Sequence, residues 1–320
     1  MIPKLSIIIP NYNHADFLEQ RIQSILDQTF TDFELIILDD CSTDNSTSII
    51  INFKIMDKRI SYYPSDYNSG NTFKQWNTGV SLAKSDLIWI AESDDYCEPN
   101  FIEKTIKPLL NNDSVVISYC QSIEVDQFGV NQKSCLHWTD DLSKTYFLKK
   151  FTITGTSYIK QFLLFHNTIP NASAVIFRKS IYQLIDMAPE ILHGNGDYLT
   201  WLKMLCFGNI AFESTALNYF RRHEKSVIGI ILKNNDKKKY QEQFDFQLRA
   251  SFHKFLKNYK IVALNECLYT NQLFMSLDRG NHGLFLLKNR NYFKGIWLIL
   301  KASFYPVFQS GFIKRAFSNK

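Results

Sequence analysis

Short, continuously apolar segments recur along roughly the first 120 residues, each separated from the next by an amphipathic stretch. This alternation is typical of βαβ units. Because the segments are apolar throughout rather than at every second position, they indicate strands that are buried on both faces. We therefore predict an α/β fold, with a mostly parallel sheet and helices on both of its faces. The predicted strands are Leu5–Ile9, Phe33–Leu38, Ile60–Tyr63, Asp86–Ala91 and Val115–Tyr119.

Between these predicted strands, apolar residues recur at the spacing of an α-helix. Leu18, Ile22, Ile25 and Leu26 recur at the period of a helix, and Phe73–Ala83 has the same pattern. Ser42-Thr43-Asp44 predicts the start of another helix, in which Asp44 acts as a cap. Pro99 marks the first turn of the next helix.

The rest of the chain divides less clearly. Residues 121–195 are irregular, and we predict no order of elements there. We place a boundary near Ile231, between an N-terminal α/β domain of residues 1–230 and a helical C-terminal region of residues 231–320. The apolar stretch at the N-terminus is too short for a signal peptide. The nearest candidate for a membrane span, residues 295–313, is interrupted by Lys301 and Pro306.

Composition excludes several classes of protein. A hydrophobic content of 45% can fill a core, so wholesale disorder is excluded. The six cysteines form no Cys-x-x-Cys pair, which favours free thiols in a reducing compartment. None of the twelve glycines belongs to a Gly-x-Gly-x-x-Gly fingerprint, which argues against a dinucleotide-dependent oxidoreductase. A nucleotidyltransferase would need a glycine-rich loop after the first strand, where Asn11-Tyr12-Asn13-His14 stands instead.

Polar clusters directly follow three of the predicted strands. Carboxyl ends of parallel strands share one edge of the sheet, where open α/β sheets bind ligands. Carboxylates gathered there repel each other unless a cation lies among them. A nucleotide with Mg²⁺ or Mn²⁺ meets that need. Loop-forming and capping roles are the favoured explanation of any single cluster, but they do not explain three clusters that each follow a strand directly. The clusters are Pro10-Asn11-Tyr12-Asn13, Asp39-Asp40-Cys41-Ser42 and Glu92-Ser93-Asp94-Asp95.

At these residues the sequence resembles the family 2 glycosyltransferases of the bacterial surface-polysaccharide type. The resemblance covers about the first 230 residues and implies the Rossmann-like GT-A fold. The matching stretches are Ser6–Asn13, Leu38–Asp44, Asn77-Thr78-Gly79, Ala91–Asp95 and Asp197–Leu202.

The resemblance implies a role for each matching residue. Pro10, Asn11, Tyr12, Asp39 and Asp40 bind the nucleotide, as do Glu92 and Asp94 in the Asp-x-Asp-type motif. Glu92 stands where aspartate is usual. Asp94, Asp95 and His223 are the implied ligands of Mn²⁺ or Mg²⁺, and Arg222 and His223 contact the diphosphate. Asp197 is the implied catalytic base, but Gly196 replaces the acidic residue that usually precedes it.

The implied reaction is metal-dependent, inverting transfer of one sugar from a nucleotide-sugar donor, with UDP the expected nucleotide. The acceptor is a glycan or a lipid-linked saccharide. Absence of a Gln-x-x-Arg-Trp motif disfavours a processive synthase. The substitutions at Glu92 and Gly196 leave open an alternative, a catalytically impaired protein that binds nucleotide sugars. Nucleic-acid binding has little support, because no recognised fold presents the basic residues.

Other residues near these motifs have two interpretations each. Tyr198 and Trp201 either line the acceptor site or belong to the core, and for Trp201 we favour the core. Asn171-Ala172-Ser173 forms either a loop near the donor sugar or a plain turn. Lys74 and Trp76 either touch the nucleotide or are solvated helix positions, and we favour the latter.

The C-terminal region combines an apolar stripe with basic residues. Between Phe285 and Lys320 there are seven Lys or Arg and no Asp or Glu. This pattern predicts peripheral contact with an anionic membrane, at its cytoplasmic inner face. The alternative is a helix that packs on the catalytic domain. The stripe is Phe293, Ile296, Trp297, Leu300 and Phe304, and the basic residues include Arg290, Lys294, Lys301, Lys314 and Arg315.

Overall fold

The structure is a computed structural model that describes residues 2–192, 195–224, 226, 237–288 and 291–303. It contains two compact units, residues 1–226 and residues 227–320. The predicted boundary near Ile231 remains a proposal about domain organisation.

In the described part of the first unit, ten strands form a single sheet. Parallel ladders join β1 to β2 and β4, β2 to β3, and β6 to β10. Strand β9 runs antiparallel between β4 and β6. The sheet order is β3-β2-β1-β4-β9-β6-β10-β5, with β7 on β6 and β8 on β10. The strands are β1 (Leu5–Asn11), β2 (Phe33–Asp39), β3 (Ile60–Pro64), β4 (Leu87–Ile90), β5 (Tyr96–Cys97), β6 (Val115–Val125), β7 (Asn131–Ser134), β8 (Phe151–Thr154), β9 (Val175–Arg178) and β10 (Asn209–Arg221).

Helices cover the sheet, as the fully buried strands β1 and β2 require. Helix α3 packs so closely on β1 that a Cβ atom at Gly79 would lie 2.4 Å from Ile8 Cγ2. Glycine in the Asn77-Thr78-Gly79 motif therefore permits this contact. The helices of this unit are α1 (Ala15–Leu26), α2 (Ser46–Met56), α3 (Thr72–Leu82), α4 (Phe101–Asn111), α5 (Gly155–Tyr158), α6 (Lys179–Leu184) and α7 (Gly196–Met204).

Two predicted boundaries differ from the structure. Helix α2 begins at Ser46, later than the predicted start at Ser42, because the backbone N–H groups of Ser42 and Thr43 donate to the side chains of Asp39 and Asn13 in the loops at the sheet edge. Asp44 nevertheless caps, since its Oδ1 accepts a bond from the backbone N–H of Ser46 and its Oδ2 one from that of Ala15. Strand β6 continues past the predicted end at Tyr119, because β10 pairs with it as far as Val125.

Residues 121–195, which the sequence left unordered, supply β7, β8, β9, α5 and α6. Strand β9 enters the sheet from this region, and it lies next to β4 although the two are far apart in the chain. Aromatic rings of Phe147, Phe151 and Phe162 pack together and against Phe212 of β10. Contacts at such long sequence separation leave no local pattern to predict.

The second unit is helical in its described part, as predicted. It contains α8 (Lys237–Tyr259), α9 (Asn265–Lys288) and α10 (Tyr292–Ser303), and α9 packs against both α8 and α10. None of the described helices combines the length and apolar character needed to cross a bilayer. Phe293, Ile296, Trp297 and Leu300 are exposed on α10. Arg290, Phe304, Lys314, Arg315 and the side chain of Lys301 lie outside the described residues.

Candidate active site

Strands β2, β1 and β4 are neighbours and run in parallel, so their carboxyl ends lie along one edge of the sheet. The register pairs Asn11 with Asp39 at this edge. The three polar clusters found in the sequence all begin there. The predicted gathering of acidic loops at a single edge is thus present in the fold.

The loops after β1 and β2 are tied together by short polar contacts. Asn11 Nδ2 donates to Asp39 Oδ1 at 2.8 Å, and Ser42 Oγ donates to the same oxygen at 2.5 Å. Pro10 is buried within β1, whereas Tyr12 is 43% exposed. Asn11 Oδ1 is buried with no hydrogen-bond partner in the described part of the chain. Asp39 is thus buried among the polar groups of the two loops, and Tyr12, next to Asn11, is open to solvent.

Asp40 faces a different set of partners. Its Oδ1 accepts a bond from Gln75 Nε2 at 2.6 Å, and both carboxylate oxygens accept bonds from the backbone N–H of Ser69 at 3.0 Å. The side chain is buried. These contacts anchor the loop before α3 to the end of β2, so Asp40 stabilises the loops at this edge of the sheet.

Glu92 is a buried acid with an indole partner. Its Oε1 accepts a hydrogen bond from Trp76 Nε1 at 2.8 Å. Burial, followed by the negative charge of Asp94, raises the pKa of Glu92 to about 8. The side chain is therefore mostly a neutral carboxylic acid at pH 7. Trp76 is 2% exposed, so the interpretation of this position as solvated was wrong.

Asp94 lies beside two histidines. Its Oδ2 is 2.9 Å from His223 Nε2, and the ring of His14 is 5.4 Å from that of His223. Although burial favours the neutral acid, the hydrogen bond with His223 and the charges of both histidines lower the pKa of Asp94. One ligand atom from each of the three side chains lies within 4.8 Å of the others, a spacing that suits a metal ion.

Asp95 points away from this group. Its Oδ2 accepts a bond from Asn171 Nδ2 at 2.6 Å, and its Oδ1 accepts the backbone N–H of Arg221 at 2.9 Å. Burial and the charge of Asp94 raise the pKa of Asp95 to about 7. The sequence grouped Asp95 with Asp94 and His223, but the structure brings only the latter two together.

Two buried arginines place positive charge next to the acidic loop after β4. Arg21 is fully buried; its Nε donates to the backbone oxygen of Glu92 at 2.9 Å, and its guanidinium lies over the ring of Trp89. Arg221 Nε donates to the backbone oxygen of Asp94 at 2.7 Å. The sequence analysis missed Arg21, although its position on the apolar stripe of α1, between Leu18 and Ile25, was an available signal.

Arg222 and His223, both predicted to contact a diphosphate, lie in different surroundings. His223 faces Asp94, while Arg222 pairs with Glu124 at 3.1 Å and stacks 4.1 Å from the ring of Phe220. The guanidinium of Arg222 therefore belongs to a neighbouring cluster, with its side chain 34% exposed.

Asp197 stands in the first turn of α7. Its Oδ2 accepts a hydrogen bond from Asn167 Nδ2 at 3.3 Å, and burial raises its pKa to about 6. The preceding residue has no room for a side chain, because a Cβ at Gly196 would lie 2.5 Å from the ring of Phe73. The acidic neighbour that the sequence analysis found missing is thus excluded sterically, and Asn167 is the polar partner instead.

The remaining candidates divide between core and loop. Trp201 is fully buried between Trp76 and Phe177, which confirms its interpretation as core. Tyr198 donates to the backbone oxygen of Leu163 and is also buried. Ser173 Oγ accepts the backbone N–H of Glu92 at 3.1 Å. The segment Asn171-Ala172-Ser173 therefore stabilises the acidic loop after β4 through hydrogen bonds. Neither a plain turn nor a loop near the donor sugar, the two interpretations of the sequence, included this role.

Comparison with known proteins identifies a family and several relatives of this chain. The family model described as glycosyl transferase family 2 matches residues 6–184. Glycosyltransferase GlyG of Streptococcus pneumoniae is 34% identical over 113 residues, covering 35% of this chain and 37% of that protein. The putative teichuronic acid biosynthesis glycosyltransferase TuaG of Bacillus subtilis is 28% identical over 210 residues, covering 66% of this chain and 75% of that protein.

Solved structures with a similar fold include Staphylococcus aureus TarS 1–349 in complex with UDP-GlcNAc. It has a TM-score of 0.63 and 18% identity, covering 88% of this chain and 73% of that chain. The mannosyltransferase PcManGT from Pyrobaculum calidifontis, in complex with GDP-Man and Mn²⁺, has a TM-score of 0.56 and 13% identity, covering 97% of this chain and 82% of that chain. At these identities the likeness concerns the fold, and it confirms the predicted GT-A architecture.

Proposed function

Because this chain belongs to glycosyl transferase family 2, we propose that it transfers one sugar from a UDP-linked donor, with inversion at the anomeric carbon. The acceptor is a glycan or lipid-linked saccharide in the synthesis of a bacterial surface polysaccharide. The observation that carries the proposal is the single edge shared by Asp39 at the end of β2 and Asp94 after β4, since β2 and β4 both run parallel to β1. The relative TuaG and the UDP-GlcNAc complex of TarS support the pathway class and the nucleotide.

In this proposal the loops after β1 and β2 bind the nucleotide. The Asp39 carboxylate accepts an N–H of the base, and Pro10, Asn11 and the exposed ring of Tyr12 border the same place. Asp40 holds the loop before α3 in position through Ser69. Glu92, neutral at pH 7, offers a hydroxyl to a ribose oxygen while Trp76 fixes its other oxygen.

Asp94 and His223 are the proposed ligands of Mn²⁺ or Mg²⁺. The donor set fits, since a carboxylate and an imidazole already lie 2.9 Å apart and His223 Nδ1 is buried with no partner in the described part of the chain. A bound ion would neutralise charge on the leaving diphosphate. Asp95 stabilises the loop through Asn171, and its proposed role as a ligand requires it to turn from that partner. Arg222 reaches phosphate only after releasing Glu124.

Asp197 is the proposed base that removes the proton of the acceptor hydroxyl. A positioned base typically contributes about 10²–10⁴-fold to the rate. Its pKa of about 6 leaves it mostly ionised at pH 7 and still basic enough to take a proton. Asn167 orients the carboxylate, because it donates to Oδ2.

A catalytically impaired nucleotide-sugar-binding protein is the second candidate. The specific observation in its favour is Gly196, where the ring of Phe73 fills the space that a side chain would need. Such a protein would bind the donor without breaking its glycosidic bond.

The experiment that separates the two candidates measures binding of UDP-GlcNAc, UDP-glucose and UDP-galactose with Mn²⁺, and the release of UDP by hydrolysis, in which water replaces the acceptor hydroxyl. We expect one donor to raise the thermal midpoint and to release UDP, because ligands that bind only the folded state stabilise it. Asp197→Asn should keep the thermal shift and lose UDP release by about 10²-fold or more. Asp140→Asn, at an exposed aspartate, is the matched control. Binding without UDP release would support the impaired protein, and no thermal shift with any donor would contradict both candidates.

We also propose that the C-terminal region contacts the cytoplasmic face of a membrane. The support is the exposed apolar side of α10, where Phe293 is 89% and Leu300 55% exposed, together with the basic residues of this region. A lipid-linked acceptor would give such contact a purpose.

A further inference from the structure

Three potential metal ligands converge from three separate elements. His14 directly precedes α1, Asp94 follows β4, and His223 follows β10. One ligand atom of each lies within 4.8 Å of the other two. Ligands around an ion at about 2.0–2.2 Å are themselves about 3–4.4 Å apart, so a small contraction of this group would bring all three atoms within bonding distance of one ion.

We propose that His14 is a third protein ligand, so that His14, Asp94 and His223 bind a divalent transition-metal ion before the nucleotide arrives. The sequence analysis gave His14 no role. Use of the ion in sugar transfer rests on the proposed function, whereas its binding to the protein does not. Three protein ligands would leave further coordination positions for diphosphate oxygens and water.

The donor set selects among ions. Mg²⁺ prefers oxygen ligands and dehydrates reluctantly, whereas imidazole nitrogen suits Zn²⁺ and other transition ions. Two imidazoles and one carboxylate therefore favour Mn²⁺, Co²⁺ or Zn²⁺ over Mg²⁺. Without His14 the protein would offer one nitrogen and one oxygen, and the preference would weaken.

Both imidazoles are oriented by neighbours outside the group. His14 Nδ1 lies 2.7 Å from Ser93 Oγ, so in the proposed site His14 binds the ion through Nε2. The His223 side chain is 2% exposed, and its ring lies 4.7 Å from that of Phe17. A hydrogen-bond partner such as Ser93 fixes ring orientation at a metal site and raises affinity, whereas Phe17 restricts the His223 ring by packing alone. A purely electrostatic role, in which the histidines only balance the charge of Asp94, would not require such orientation.

The test is a titration of the full chain with Mn²⁺ in the absence of nucleotide. The electron paramagnetic resonance signal of free Mn²⁺ measures how much of the ion remains unbound. We expect the wild type to bind one ion. His14→Ala and His14→Gln should each weaken binding about tenfold or more, and Ser93→Ala should weaken it less. His137→Ala changes an exposed histidine outside the site and should bind as the wild type does.

A second measurement compares Mg²⁺ with Mn²⁺. His14→Asp replaces nitrogen by oxygen, so it should lower the preference for Mn²⁺ over Mg²⁺ while retaining binding. The circular dichroism spectrum of each variant establishes that it is folded.

Two results would overturn the proposal. One is a wild type that binds Mn²⁺ only when UDP is present. The other is a folded His14→Gln protein that binds Mn²⁺ as tightly as the wild type while Asp94→Asn does not. Failure to release UDP from any donor would contradict the proposed function alone, since the titration contains no donor.

Discussion

The three acids after β4 differ in ionisation although they are adjacent in sequence. Burial raises the pKa of Glu92 to about 8 and that of Asp95 to about 7, whereas the two histidines lower the pKa of Asp94. Near neutral pH, Asp94 therefore carries a full negative charge while Glu92 is mostly protonated. The repulsion expected from the sequence is relieved partly by protonation and partly by Arg21 and Arg221.

Asp197 predicts the pH dependence of activity. A base must be ionised to act, so kcat/KM should fall below pH about 6, by about tenfold per unit well below that value. Activity falls toward low pH because the pKa of Asp197 is raised. As the pH is lowered, this carboxylate is protonated at a higher pH than most other carboxyl groups are. A pH profile of UDP release over pH 4.5 to 8.5 measures this limb.

Asn167→Ala provides the internal control for that assignment. Loss of the hydrogen bond to Asp197 Oδ2 removes an interaction that favours the ionised form, so the limb should move to higher pH by roughly up to one unit. Asn167→Asp adds a like charge and should move it further in the same direction. A limb that stays near pH 6 in both variants would show that Asp197 is not the titrating base.

At the scale of elements, helix α3 connects two acids of the site. Gln75 donates to Asp40, and Trp76, the next residue, donates to Glu92. Both contacts depend on the close approach of α3 to β1, which the absence of a side chain at Gly79 permits. Asn77 binds both α6 and the segment after it, since its Oδ1 accepts bonds from the hydroxyl of Tyr182 in α6 and from the backbone N–H of Ala188. Asn77 and Gly79 of the Asn-Thr-Gly motif therefore hold α3 in place, through hydrogen bonds and through close packing respectively.

Helix α10 carries the prediction about membrane contact. The wild type should sediment with vesicles that contain phosphatidylglycerol, and high salt should weaken binding because the basic residues contribute about 1 kcal/mol each. The double variant Phe293→Ser, Trp297→Ser should lose about tenfold or more in affinity, because each large apolar side chain contributes roughly 1.5–3 kcal/mol when buried.

The matched control changes exposed apolar residues on another helix, Ile55→Ser and Met56→Ser at the end of α2. These variants should bind vesicles as the wild type does. Equal sedimentation of both double variants would contradict a membrane role for α10 and would favour its packing against protein.

At the scale of the whole molecule, every contact described for the candidate site lies within residues 10–223. The two compact units divide at Ser226, close to the proposed boundary of residues 1–230. We therefore expect a fragment of residues 1–230 to fold and to bind UDP with a Kd within about twofold of the full chain, as a domain with its own core should. Isothermal titration of both proteins measures this. A fragment that does not fold would show that residues 231–320 complete its core.

Local patterns predicted much of this architecture. Continuously apolar strands such as β1 and β2 identified the α/β class, and polar clusters after them located the edge where Asp39 and Asp94 lie. Strand β9 and the brace formed by Asn171 and Ser173 were not predictable in the same way. Their partners are Trp89 and Asp95, more than seventy residues away in the chain, and no periodicity records such pairings.

The sequence alone determined the fold class, the order of the loops and the chemical types of side chain that meet at the edge, because these follow from local periodicity and from the shared direction of parallel strands. Only the tertiary structure decided which of those side chains face each other. It turned Asp95 toward Asn171, set Asp94 between two histidines, and filled the space beside Gly196 with Phe73. Side-chain direction and pKa depend on burial and on distant neighbours, and those exist only once the chain has folded.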